Sequence, residues 1–311
     1  MQQYPREGVG FPTAPRGEDQ VTGALDSGGS IVRRLQLGAR LRALRQAKGV
    51  TREAAGYMIR GSESKISRME LGRVSFKERD VADLLKMYGV EDQAEVDKLL
   101  ALTREANAPS WWHSYNDVTE TWFTNYLDLE PAAELIRTYE VQFVPGLLQT
   151  EAYARAVIML GHSTAEDREI DLRVEQRMLR KQVLERPDAP RLWAVLDEAV
   201  LRRPIGGYEV LREQIRYLME VGDSPHVRLQ VMPFDKGGHA AAGGAFSILR
   251  FPQQELPDVV YVEHLTSGLY LDKREDVDVY AAAIGRLFIE ADPPSRTVEM
   301  LKRILDDLSD R

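Results

Sequence analysis

The stretch Leu37-Gly38-Ala39-Arg40-Leu41-Arg42-Ala43-Leu44-Arg45, running on through Thr51-Arg52-Glu53-Ala54-Ala55-Gly56-Tyr57-Met58 and Gly61-Ser62-Glu63-Ser64-Lys65-Ile66-Ser67-Arg68 to Met69-Glu70-Leu71-Gly72, decides the fold of the N-terminal part. Ile31, Leu35, Leu37, Leu41 and Leu44 recur at helical spacing, and Gly49 stops that helix. Thr51 is placed to cap a short second helix, Arg52–Met58. Gly61 breaks the chain, Ser62 caps a third helix through Leu71, and Gly72 closes it. Ser75 opens a fourth, with Val81, Leu84, Leu85 and Tyr88 on its apolar face and Gly89 at its end. Residues 91–106 make a fifth. Short turns between five helices predict a compact all-α bundle over residues 31–108.

Charge is distributed unevenly around this stretch. Residues 31–73 hold 11 Lys+Arg against 3 Asp+Glu, a local net of +8, inside a chain of 311 residues whose total is −8. The remainder is therefore at −16. A short basic module on an acidic body suits a local polyanion contact and argues against a protein that coats nucleic acid along its length. Residues 1–30, with six glycines and three prolines, are predicted to be a disordered tail. The chain has no cysteine, which excludes disulfides, a thiol nucleophile and cysteine-ligated metal sites. No apolar run approaches the roughly 20 residues of a membrane span, and no stretch of signal-peptide type is present, so a cytoplasmic protein without a membrane partner is expected.

Beyond Pro109 the pattern alternates between helix and strand. Strands are predicted at 135–143, 192–196, 227–232, 245–251 and 259–263. Helices are predicted at 150–160, at 207–221, at 277–290, at 295–308, and from a Thr164/Asp167 capping box to about residue 185. The fold class is thus mainly α with an α+β C-terminal part, residues 109–311, in which an antiparallel sheet is flanked by helices. Val298, Leu301, Leu305 and Leu308 stripe the last helix, as core or as a dimer seam.

The third helix carries the chemistry. Ile66 and Met69 share one face, which leaves Glu63, Ser64, Lys65, Ser67 and Arg68 outside, with Arg73 just beyond the helix end. A helix presented this way fits a major groove about 12 Å wide. Arg68 has the geometry for a bidentate contact with guanine, Glu63 accepts from a cytosine amino group, and Ser64 contacts several bases. Lys65 equally suits a phosphate. The plainer reading is a solvated charge pattern on an ordinary bundle, against which stand the +8 window and the tight turn.

Over residues 36–90 the chain resembles the helix-turn-helix of phage-repressor-like (XRE) transcriptional regulators. The resemblance rests on the Leu-Arg-x-Leu-Arg run at 41–45, Ala55, Ser62, Ile66 and the Glu70-x-Gly72 ending. It implies a repressor-like five-helix bundle that binds double-stranded DNA, with base reading by Glu63, Ser64 and Arg68. It also implies a phosphate contact at the start of the second helix, where the family usually has glutamine and this chain has Arg52. Arg45 and Glu70 match the family's scaffold ion pair. Over about 115–290 the chain resembles a region of unknown activity that follows the helix-turn-helix in many actinobacterial regulators, WhiJ-like and antitoxin-like proteins among them. The residues that carry it are Val144-Pro145-Gly146-Leu147-Leu148-Gln149-Thr150-Glu151-Ala152-Tyr153-Ala154, residues 173–177, Asp197-Glu198-Ala199-Val200-Leu201-Arg202, Gln230-Val231-Met232-Pro233 and Tyr261-Val262-Glu263. This resemblance supplies no known ligand and implies a small acidic partner protein. The reading that follows is a regulator whose second part senses a small-molecule effector or a partner protein, and the alternative is an antitoxin-like interaction module that mainly holds such a partner. A homodimer is expected because one domain contacts too few base pairs to select a site.

No catalytic pattern competes with these readings, so an enzyme, a cofactor and a metal are not expected. His113, His162, His226, His239 and His264 fall in no HExxH pattern and form no metal-spaced pair, and there is no Walker A sequence or G-x-S-x-G elbow. Gly237-Gly238-His239 and Gly243-Gly244 bracket a loop that reads as a hairpin connection before a phosphate nest. Trp111, Trp112, Tyr115, Trp122, Phe123 and Tyr126 put six aromatics in 16 residues. They either bury a joint between two domains or line a ligand pocket.

Overall fold

A computed structural model of the chain describes residues 30–241, 243–253 and 256–309. The tail expected at residues 1–30 lies, apart from Ser30, outside the described residues. Five helices come first: α1 (Ser30–Ala47), α2 (Arg52–Met58), α3 (Glu63–Glu70), α4 (Glu78–Met87) and α5 (Gln93–Ala106). Leu37, Leu41, Ala55, Ile66, Met69, Val81, Leu84, Leu85 and Leu99 form their common core. Ser75 does not open α4. The chain stays extended past it to bury Phe76, whose backbone N–H and C=O both bond the Asn107 amide, and Lys77 takes the N-cap position without a side-chain bond.

After a 3₁₀ segment, Trp111–Val118, and the short α6 (Thr124–Leu129), the sheet begins. Its strands are β1 (Leu135–Glu140), β2 (Arg191–Asp197), β3 (Val227–Met232), β4 (Phe246–Arg250), β5 (Val259–His264) and β6 (Ser267–Leu271), in the order β3-β2-β1-β4-β5-β6. Between β1 and β2 run α7 (Glu151–Gly161) and α8 (Asp167–Lys181); between β2 and β3 run α9 (Glu198–Arg202) and α10 (Tyr208–Val221). The chain closes with α11 (Arg274–Glu290) and α12 (Pro294–Ser309).

The architecture is therefore a helical bundle followed by a mixed sheet with flanking helices. The antiparallel expectation holds from β1 through β4 and β5 to β6, whereas β1–β2 and β2–β3 are parallel. The cause is the connection: a helical crossover returns the chain to the starting edge, so the next strand runs the same way. Thr150 caps α7 by accepting from the Tyr153 N–H at 3.3 Å. The box at Thr164/Asp167 does not form; Glu166 takes the N-cap of α8 without a side-chain bond.

Two apolar layers sandwich the sheet. On one face Ile136, Leu196 and Leu249 meet Tyr153, Val200, Leu211, Ile215, Leu301, Ile304 and Leu308 of the helices. On the other, Tyr139, Val195, Ile248 and Val260 meet Val277, Ile284 and Leu287 of α11. The stripe on α12 is thus core within this chain: Leu301 and Leu308 are buried.

Candidate nucleic-acid interface

The local chemistry of the turn sets the geometry of α2 and α3. Thr51 Oγ1 accepts from the Ala54 N–H and Ser62 Oγ from the Lys65 N–H, both at 3.1 Å. These side chains satisfy orphan helix donors and fix where each helix begins. The left-handed residue of the turn is Arg60 (φ 52°), and Gly61 keeps a negative φ. The glycine that the turn demands for space is Gly56. A Cβ there would lie 2.8 Å from the Ser62 carbonyl carbon, so α2 and the start of α3 meet backbone to backbone. Gly56→Ala is accordingly expected to destabilise the helical part by about 1–3 kcal/mol, as overpacking does. A lowered urea midpoint at the amides of α3 checks this, and an unchanged midpoint contradicts it.

The far end of α3 closes on Gly72 (φ 64°), with Arg73 N–H donating to the Arg68 carbonyl at 2.9 Å and Gly72 N–H to the Met69 carbonyl at 2.9 Å. This is a Schellman closure, which favours glycine at the left-handed residue. Gly38 on α1 completes the frame, since a Cβ there would lie 2.4 Å from the Met69 carbonyl oxygen. Periodicity leaves Gly38 and Gly56 unremarked. The signal available was a glycine sitting inside a helical run at helix-propensity cost.

Glu63, Ser64, Arg68 and Arg73 are exposed, while Ile66 and Met69 are buried. Arg68 and Arg73 make no side-chain bond among the described residues. Lys65 and Ser67 are half-buried, and Lys65 Nζ is drawn sideways to Asp80 Oδ2 of α4 at 2.6 Å. Arg45 and Glu70 form a buried ion pair: Arg45 Nε and Nη2 donate to the two carboxylate oxygens, the second bond at 3.1 Å. Arg45 Nη1 also donates to the Val50 carbonyl at 2.8 Å. Arg52 joins them, its Nε 3.0 Å from Glu70 Oε2. Arg52 thus stands at the start of α2 with its guanidinium partly committed to Glu70, while its side chain remains partly exposed. Burial raises Glu70, but the bonds and charges of Arg45 and Arg52 outweigh it and hold the carboxyl below its ordinary value.

Five of the six aromatics fall into two neighbouring groups, with Phe123 touching both. Trp111 and Tyr115 are buried with Val118 and Leu127 and pack against Leu172 and Leu179 of α8. Trp112 Nε1 donates to Asp128 Oδ1 at 2.9 Å, and Tyr115 OH to Glu175 Oε1 at 2.8 Å. Phe123 and Tyr126 instead stack at 5.4 Å beneath the Arg180 guanidinium, which sits 5.2 Å from each ring centroid and pairs with buried Glu130. Below them a hydroxyl row, Thr138–Ser247–Tyr261–Tyr270, crosses β1, β4, β5 and β6 in register. Trp122 offers its carbonyl to Tyr270 OH at 2.7 Å, and its own indole N–H finds no partner among the described residues. At the edge of this layer burial, with the Glu263 charge adding to it, pushes the Glu140 carboxyl up to about 8, and burial lowers the Arg177 guanidinium to about 10.

Elsewhere, His239 ties the glycine-flanked loop to the sheet through Tyr139 OH at 2.9 Å. Among the described residues, no group of three or more His, Asp or Glu side chains is arranged to hold a metal ion. No helix of the described residues is long and apolar enough to cross a membrane. A family model described as a helix-turn-helix domain matches residues 36–99, and one described as a domain of unknown function (DUF5753) matches residues 123–303, more than half of the chain. No curated protein and no solved structure matches it.

Proposed function

Since the chain belongs to the family defined by the domain of unknown function DUF5753, and carries a helix-turn-helix domain ahead of that region, we propose that it is a transcriptional regulator in which α3 reads an operator. The helix-turn-helix domain itself points to a DNA-binding regulator rather than an enzyme. In this reading residues 31–108 bind double-stranded DNA in the manner of XRE-type regulators of actinobacteria. Residues 109–311 answer to a small-molecule effector or a partner protein, with the layer around Phe123, Tyr126 and Arg180 as the sensing region. The observation that carries it is the outer side of α3. Arg68 on α3 and Arg73 just beyond its end stand exposed, with no side-chain bond among the described residues, and the helix ends are fixed by Ser62 and Gly72 within a window of net charge +8. Arg68→Ala is expected to cost about 1–3 kcal/mol on the specific site and little on random duplex. Equal losses on both duplexes would reduce Arg68 to a phosphate contact.

One domain of this kind discriminates poorly against a genome of competing sites. A homodimer reading an inverted repeat, with half-sites about 34–36 Å apart, answers that need. Footprinting is expected to show two protected half-sites, and protection of one short non-palindromic site by a monomer excludes the dimer.

The second reading is an antitoxin-like module that holds a small acidic partner. It draws on Tyr57, 88% exposed beside half-exposed Met58 at the basic end of the molecule. Co-purification of such a partner from cells, together with no preference among duplexes, would favour it.

A further inference from the structure

We propose that α1 is a rigid lever through which the second part of the chain sets the direction in which α3 points. The inference rests on the reading of α3 as the DNA-facing helix and adds how its placement is governed.

One helix belongs to both cores. Val32 is buried with Tyr126, Leu129 and Ile136 on the sheet side, and Ile31 and Leu35 pack against that same core. Leu37 and Leu41, on the next turns of the same unbroken helix, are buried in the core of the helical part. A connection made of two hinged bodies would need a break in α1 between Leu35 and Leu37, and there is none.

The contact from α1 to α3 is backbone against backbone. Gly38 faces the carbonyl oxygens of Met69 and Glu70, and Gly72 faces the backbone of Arg34 and Leu35. A Cβ at Gly72 would lie 2.8 Å from Leu35 N. Side chains hop rotamers and absorb small displacements, but two backbones in contact do not, so α3 travels with α1.

The root of the lever is a polar anchor. Ser30 Oγ donates to Asp128 Oδ2 at 3.3 Å and lies 3.1 Å from Ser110 Oγ. Asp128 is 2% exposed and also holds Trp112 Nε1. Asp128 sits on α6, two residues from Tyr126, so α6 touches both α1 and the aromatic layer under Arg180. A ligand or partner that shifts α6 therefore turns α1, and in a dimer turns both recognition helices relative to each other. It does so only if it binds the two arrangements with different affinity.

The absence of cysteine makes the test direct. Spin labels on Ser64→Cys and Leu265→Cys, both exposed sites, report the distance from α3 to the sheet in full-length protein. Labelled chains are diluted with unlabelled ones, so that only distances within a chain are read. A single narrow distribution is expected for the parent, broadening at least twofold in Val32→Ala and in the milder Ser30→Ala. A broad distribution in the parent, or a width that neither variant changes, overturns the lever. Binding of the unlabelled, cysteine-free parent, Val32→Ala and Ser30→Ala proteins, with Ser64 intact, to random and palindromic duplex is measured alongside. Narrow distances with no DNA binding would leave the lever standing and sink the reading of α3 instead.

Discussion

Glu70→Ala is expected to cost the helical part about 3–5 kcal/mol, because it strands a buried arginine. Glu70 and Arg45 are 6% and 8% exposed. With the carboxylate gone, the Val50 carbonyl at 2.8 Å is the one acceptor left to Arg45 among the described residues, and Arg52 loses its partner at 3.0 Å. Arg52 is exposed enough to turn to water, and Arg45 is not, so the cost falls on Arg45. The same network makes stability depend on pH. Glu70 titrates below its ordinary value of 4.5 in the folded chain, so the stabilisation is complete above that value and is lost as pH falls through the folded one. Urea titration of the full chain, followed at the amides of residues 63–72, measures both effects. Glu70→Ala should lower the midpoint and flatten its pH dependence on the acid side. An unchanged midpoint would mean that Arg45 escapes to solvent.

The parts of this fold that were legible in the sequence are those fixed by neighbours in the chain. Thr51 and Ser62 announce α2 and α3 because a cap acts over three residues, and both accept the bonds their positions suggest. The run Val227–Met232 announces β3 because β-branched residues end at Pro233. The strand β6 gave no such notice. Ser267-Gly268-Leu269-Tyr270-Leu271 has the look of a turn and is a strand because β5 offers it an edge. The six-residue α6 is too short for a period to show, inside a segment dominated by aromatics. Parallel pairing of β1 with β2 brings together residues 56 positions apart, and no local pattern encodes it.

The candidate site divides in the same way. The apolar face of α3 and its exposed opposite face follow from spacing alone, and Ile66 and Met69 are buried as Glu63, Ser64 and Arg68 are exposed. The engagement of Lys65 with Asp80 does not follow, since α4 arrives from 15 residues away at an angle that only packing decides. The aromatic cluster shows the limit most clearly. Its composition was visible, but its division into a packing group and an Arg180 group depends on Glu130 and Arg180, 50 residues apart.

Breaking that second buried pair is the other large effect expected. Glu130→Ala should destabilise the sheet-bearing part by about 3–5 kcal/mol, since it leaves the Arg180 guanidinium enclosed and uncompensated. Glu130 is 1% exposed and Arg180 8%. The rings of Phe123 and Tyr126, 5.2 Å from the guanidinium, attract a cation but offer no acceptor to replace the lost carboxylate. The loss is therefore a desolvation penalty on a stranded charge, and the remedy is to remove the charge. The double variant Glu130→Leu, Arg180→Met should recover much of the stability, because a buried ion pair exchanged for apolar residues of similar volume often costs little. Recovery would also separate two roles for the pair. If the double variant regains its urea midpoint and its spin-label distances stay narrow, the charges serve the packing of α6 against α8 and an uncharged contact suffices. If the midpoint returns while the distances broaden, the ion pair is what holds α6, and with it α1, in one arrangement. A double variant as unstable as Glu130→Ala would mean that the cost lies in lost shape at α6 rather than in the stranded charge.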